Sequence, residues 1–250
     1  MSVTRNVEEP EARGPAAYAA EVVGTFALVF FVCGFVTVAS AAAAPDLAAL
    51  GLAHALILMT LVYALGGTSG AHFNPAVTVA LWAIKRISTP NALVYLVCQV
   101  VGGILGALVV LLLFNDIGEA VDYGATALNG EILQSGSAGL GLVAEALGTF
   151  ILMWAIMGVA VNPRGESALA GLAIGGALGI AVMVVGPATG AGLNPARWLG
   201  PAVAAGEFDD FWLYVVGPIV GALVAAFGYR ELVLRQRGLP PQRPKDELPG

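Results

Sequence analysis

Charge is what this sequence has least of. Asp, Glu, Lys and Arg make up 11% of its 250 residues, against about a quarter in soluble domains, which argues against a surface facing water on all sides. Cysteine is nearly as scarce: Cys33 and Cys98 both fall in apolar stretches, which points to neither a disulfide framework nor a metal cluster and leaves them as packing residues. No Ser, His and Asp arrangement, metal-ligand spacing or carboxylate pair faces one site, so no enzyme, metal or cofactor is indicated. The net charge of −6 is divided, acidic in the loops on one side and in the N-terminal segment, basic at the C-terminal end. It carries no nucleic-acid signal.

What is abundant is apolar sequence long enough to cross about 30 Å of hydrocarbon. Six runs qualify, at 17–44, 47–65, 92–114, 140–161, 168–185 and 211–234. The first has no basic run before it and carries Glu21, so it reads as a retained span and not a removable leader. An even number of spans puts both termini on one side. Arg5, Arg13, Lys85, Arg86, Arg164, Arg230, Arg235, Arg237, Arg243 and Lys245 all collect there, which marks it as cytoplasmic. The opposite loops are acidic except for Arg197. The expectation is an integral protein of the plasma (inner) membrane with a cytoplasmic tail at 1–16, a membrane domain at 17–235 and a second cytoplasmic tail at 236–250.

The membrane domain repeats itself. Ala20-Glu21-Val22-Val23-Gly24-Thr25-Phe26 opens the first span and Ala144-Glu145-Ala146-Leu147-Gly148-Thr149-Phe150 lies in the fourth. Gly51-Leu52-Ala53, Gly70-Ala71 and Asn74-Pro75-Ala76 recur, 120 residues on, as Gly171-Leu172-Ala173, Gly190-Ala191 and Asn194-Pro195-Ala196. Repeats at about 17–114 and 139–235, with three spans each, enter the membrane from opposite sides and form an inverted repeat. Gly102 and Gly106, Gly171, Gly175 and Gly179, and Gly217 and Gly221 have the four-residue spacing that lets helix backbones approach in lipid.

Each Asn-Pro-Ala follows a Gly-rich stretch and precedes an apolar piece too short to span. Asn is a favoured N-cap and Pro a favoured first helical residue, so each motif starts a half-helix inside a re-entrant loop. The predicted fold is therefore all-α, with six transmembrane helices and two half-helices. Inversion aims both half-helix N-termini at one midplane point, each with about half a positive charge, free N–H groups and an Asn amide turned outward. A water there accepts two hydrogen bonds and relays no proton, while cations are repelled.

On these paired motifs and Arg197, the sequence resembles the major intrinsic protein family, the aquaporins and glycerol facilitators, over about 17–234. The resemblance implies a right-handed six-helix bundle in the lipid bilayer, one pore per subunit and a homotetramer. It implies a selectivity filter of His54, Val182, Ala191 and Arg197, similar to that of plant tonoplast aquaporins. Water is then the expected solute, with ammonia, urea, hydrogen peroxide or glycerol beside it. Trp198 after Arg197 and Val215 after Tyr214 depart from the usual water-channel residues. Glu21 and Glu145 read as acceptors for loop N–H groups, and a proton relay is the sharper alternative. His72 reads as loop support, against a pH-sensitive group. Two other functions stay open: a proton-coupled secondary transporter of a small solute, and a channel mainly for a non-water neutral solute such as glycerol.

Overall fold

The computed structural model describes residues 14–42, 46–134 and 136–235. The tails expected at both ends lie outside the described residues up to 13 and from 236, as do positions 43 and 44 of the first apolar run. Backbone N–H and C=O groups find no water inside a bilayer, so apolar segments of this length close their hydrogen bonds internally as helices. Six helical segments are long and apolar enough to cross, and no strand occurs among the described residues. The spans are α1 (Pro15–Ala41), α2 (Leu47–Ser69), α4 (Thr89–Gly118), α5 (Ala138–Ile156), α6 (Ala170–Thr189) and α8 (Phe211–Tyr229). Two short helices, α3 (Pro75–Ala83) and α7 (Pro195–Ala205), follow α2 and α6. The bundle surface is apolar: Leu112 is 77% exposed and Val184 73%.

Several boundaries differ from the sequence expectation. The first helix starts at Pro15, where proline's fixed φ suits the first helical position, two residues ahead of the first apolar run. The second and fifth spans run on to Ser69 and Thr189, beyond the ends expected at 65 and 185, with Gly66, Gly67 and Pro187 inside the helices. Both helices end on a left-handed glycine, Gly70 (φ 84°) and Gly190 (φ 76°), whose N–H closes the last turn onto Gly66 and Gly186. That cap stops the helix, as a C-terminal glycine does.

The pairing is symmetric. The outer spans of each repeat pack together, α1 on α4 and α5 on α8, and α2 crosses α6 between the halves. Each half-helix beds on the last span of the other half, α3 on α8 and α7 on α4. Glycine makes the span contacts possible. A Cβ on Gly102, Gly175 or Gly221 would run into the carbonyl oxygen of Val22, Ala55 or Ala146 on the facing helix. In lipid, such backbone proximity takes the part that hydrophobic burial plays in water.

Gly221→Ala is expected to destabilise the α5–α8 contact by about 1–3 kcal/mol, the usual cost of overpacking. Gly176→Ala, where a Cβ meets nothing within 4 Å, is the control and should be neutral or slightly stabilising. Thermal unfolding of the purified protein in detergent compares the two; equal midpoints would remove close backbone contact as the organising constraint.

Candidate functional site

Beyond Gly70 and Gly190 the chain is not helical. Ala71 (φ 52°), Phe73 (φ 49°), Ala191 (φ 48°) and Leu193 (φ 51°) all hold left-handed backbone without being glycine, a conformation that costs about 1–3 kcal/mol per residue and needs outside support. Two carboxylates hold it. Glu21 Oε1 accepts from Ser69 Oγ (2.7 Å) and the His72 N–H (3.0 Å), and Oε2 from the Phe73 N–H (2.8 Å) and Gln99 Nε2 (2.7 Å). Glu145 Oε1 accepts from Thr189 Oγ1 (2.6 Å) and the Gly192 N–H (2.8 Å), and Oε2 from the Leu193 N–H. Both side chains are fully buried. Tyr95 and Tyr214 add matched clamps, donating to the carbonyls of Ser69 (2.8 Å) and Thr189 (2.7 Å). Every strong acceptor position of Glu21 is filled, and three of the four on Glu145.

The loops deliver Asn74 and Asn194 to the starts of α3 and α7. Asn74 Oδ1 accepts from the Ala76 N–H at 2.9 Å; Asn194 Oδ1 accepts from the N–H groups of Ala196 (2.9 Å) and Arg197 (3.3 Å). This is N-capping of the kind the motif leads one to expect. The amide nitrogens do something the motif does not show. Asn74 Nδ2 donates to the Leu193 carbonyl (2.9 Å) and Asn194 Nδ2 to the Phe73 carbonyl (2.8 Å), so each asparagine is tied across to the opposite loop. An amide carries two protons. One is thus taken and one remains, where the sequence alone turns both outward.

Both asparagines line a narrow cavity with His54, His72, Ala191 and Arg197, and apolar residues that include Leu28, Leu152 and Leu178 complete its wall. Its volume is about 30 Å³, room for on the order of two waters in file. The cavity opens past Ala71, His72, Val77, Ile156 and Ile174 into a chamber of about 550 Å³ whose charged lining residues are Lys85 and Arg86. Val182 is not among the residues lining the narrow cavity: it is buried on α6. A Cβ on Gly186 would meet Val182 Cγ1 at 3.8 Å and Ala191 Cβ at 4.0 Å, so Val182 stands beside the wall.

Arg197 and His54 are complementary. Arg197 is buried to 4% exposure, and its Nε and Nη1 have no partner among the described residues. His54 Nδ1 lies 2.7 Å from the Leu50 carbonyl, which only accepts, so the neutral ring carries its proton on Nδ1 and leaves Nε2 as an acceptor. That Nε2 also has no partner among the described residues. Donors and an acceptor thus line one constricted space, and the half-helix termini add positive potential to it. Among the described residues no His, Cys, Asp and Glu group fits a metal.

Sequence reasoning passes over Gln99, Ser69, Thr78 and Thr189. Gln99 had a readable signal, a lone amide inside the apolar run 92–114, where polar groups have reasons to be. The hydroxyls had none, since serine and threonine are ordinary in membrane helices.

Comparison with known proteins bears on this geometry. The family model "Major intrinsic protein" matches residues 11–229. Aquaporin NIP1-1 of Zea mays is 40% identical over 211 residues, covering 84% of this chain and 72% of its own. Probable aquaporin AqpM of Archaeoglobus fulgidus is 40% identical over 239 residues, 86% of this chain and 96% of its own. Glycerol uptake facilitator protein-like 6 of Lactiplantibacillus plantarum is 38% identical over 212 residues, 84% and 94%. The crystal structure of an aquaglyceroporin from Plasmodium falciparum superposes with a TM-score of 0.72 at 25% identity, covering 88% of this chain and 96% of that one.

Glu145→Gln turns an amide N–H₂ toward N–H donors and weakens three charge-assisted bonds. The expected loss is on the order of 3 kcal/mol, read as a lower unfolding midpoint together with slower osmotic water flux through reconstituted protein. An unchanged midpoint and unchanged flux would show that the loop stands without the carboxylate.

Proposed function

The chain belongs to the major intrinsic protein family of membrane channels, and on that premise we propose that the cavity between Asn74 and Asn194 is its pore, conducting water and small neutral solutes while excluding protons and ions. The protein is an integral membrane channel, passive for water and small solutes, and not an enzyme. The observation that carries the pore assignment is the crossed pair of asparagine amides at two half-helix N-termini, lining a cavity of about 30 Å³. Each holds one N–H for the solute. A water that accepts both has its own protons turned away from the midpoint, which breaks a proton wire, and the positive helix ends with Arg197 repel cations.

The filter we assign is His54, Ala191 and Arg197, with Val182 behind Ala191, the combination similar to tonoplast aquaporins. Ala191 leaves it wide. The His54 acceptor and Arg197 donors suit molecules that both give and receive hydrogen bonds, which describes water, ammonia and urea. Glycerol is the second reading, supported by the apolar residues in the cavity wall and by relatives named as a glycerol uptake facilitator and an aquaglyceroporin. Glu21 and Glu145 serve as loop scaffolds in this reading, because all four acceptor positions of the one and three of the other are occupied. The chamber with Lys85 and Arg86 faces the cytoplasm in the plasma membrane, where positive loops are retained, and both termini lie on that side. Four copies form the working assembly, each with its own pore.

Stopped-flow light scattering on proteoliposomes tests the reading. An impermeant osmolyte should drive shrinkage many times faster than in empty vesicles with a low activation energy, and urea and glycerol gradients then rank the solutes; no acceleration would refute it. In the same assay His54→Phe should leave water flux largely intact and reduce ammonia and urea flux. If neither solute slows, His54 does not belong to the filter.

A further inference from the structure

Trp198 follows Arg197 on α7 and is not among the residues that line the narrow cavity. It is buried all the same. Its ring lies nearly parallel to that of Tyr214, with 6.1 Å between centroids and an interplanar angle of 10°, and Phe208 meets it edge-on at 6.4 Å. Trp198 and Tyr214 share a small buried cluster with Ala202 and Leu213, where α7 meets α8.

Tyr214 links that cluster to the cavity wall. Its hydroxyl donates to the Thr189 carbonyl at 2.7 Å, and Thr189 Oγ1 in turn receives the Ala191 N–H at 3.2 Å and donates to Glu145. Its ring lies against the loop: a Cβ on Gly192 would come within 2.6 Å of Tyr214 Cδ1. Gly192 and Ala191 both line the narrow cavity. Behind the wall at this point stands the tyrosine ring, and on the ring is stacked the indole.

The first half shows what the indole replaces. Counted from the motif asparagines, Thr78 has the place of Trp198 and His72 that of Gly192. Tyr95 makes the matching bond to the Ser69 carbonyl, but its ring is met edge-on by His72 at 5.1 Å and by Tyr18 at 6.1 Å. In the second half a glycine stands in place of the imidazole, and the indole supplies the aromatic contact. Ala191 and Leu193 hold left-handed backbone there, a conformation that lasts only while its surroundings fix it.

We propose that Trp198 is a positioning residue for solute selection: by bracing Tyr214 it fixes how near Gly192 and Ala191 stand to the cavity axis, and so how large a molecule passes. A smaller side chain at this position leaves room behind Tyr214. The ring tilts into it, the Thr189 carbonyl and the loop follow, and the cavity widens at Ala191. Water already fits and gains little, whereas a bulkier solute held at that constriction gains most. The proposal rests on the cavity being the pore.

Proteoliposomes carrying Trp198→Phe or Trp198→Leu are compared with wild type in stopped-flow assays of water, urea and glycerol. The readout is solute permeability divided by water permeability, which is insensitive to the folded fraction because an unfolded copy conducts neither. The ratio is expected to rise by about threefold or more in Trp198→Leu, the scale on which one aromatic pair acts. It should rise by less in Trp198→Phe, which keeps a ring against Tyr214. Trp212→Phe, at an exposed position on α8, is the control and should leave the ratio unchanged. A merely structural role for Trp198 would lower the unfolding midpoint and scale all fluxes together. An unmoved or lowered ratio in both Trp198 variants therefore overturns the proposal. If Trp198→Leu does not assemble, Trp198→Phe decides alone, a raised ratio supporting the brace and the wild-type ratio overturning it. Wild-type protein without flux would strike the pore assignment and this proposal with it, whereas a conducting wild type with unmoved variants strikes the brace only.

Discussion

Everything at the centre of this molecule depends on two buried carboxylates supporting backbone that hydrocarbon would otherwise forbid. A re-entrant loop at membrane depth exposes N–H groups that water does not reach. Glu21 and Glu145 collect those groups, and with them the left-handed residues on either side of each loop. Only then do α3 and α7 start side by side, and only then does each asparagine amide reach a carbonyl of the opposite loop. The arrangement carries the strain of four left-handed non-glycine residues. It is sustained because both ends of each loop are tied to rigid spans.

The two supports are alike but not identical. Both use a hydroxyl from the last residue of a span, two loop N–H groups and a tyrosine on the neighbouring carbonyl. Only Glu21 has a glutamine as well, and Gln99 extends that support through Thr78 to a cavity-lining histidine. On the other side, Arg197 follows the second motif and the first has Val77 at the corresponding place. A symmetric scaffold thus presents two different chemical faces, a fixed cation with a fixed acceptor at one end of the cavity and an imidazole hydrogen-bonded to a hydroxyl at the other.

Much of the fold is legible in the sequence because membrane helices announce themselves by length and hydropathy. The inverted repeat is legible because two copies of a rare tripeptide lie at matching places in the two halves. The asparagine and proline in each are local signals, and α3 and α7 indeed begin at Pro75 and Pro195. What escapes is whatever depends on two distant segments at once. That Asn74 caps a helix is written in the next two residues; that its amide reaches the Leu193 carbonyl is not. The extension of α2 through Gly66 and Gly67 escapes for a related reason, since glycine breaks helices in water but is tolerated where no solvent competes for the backbone.

The beds of the half-helices also bear on how the chain is made. The helix α3 rests on α8, the last of the described spans in chain order, while α7 rests on α4. At about 5–20 residues per second, the first re-entrant loop waits for the rest of the chain before the surface it leans on exists. During that interval α1, α2 and α4 hold an unfinished loop whose carboxylate is in place but whose opposite partner is not. The contacts of α3 with α8 and of α7 with α4 cross from one half to the other, so the centre closes only once both halves are present.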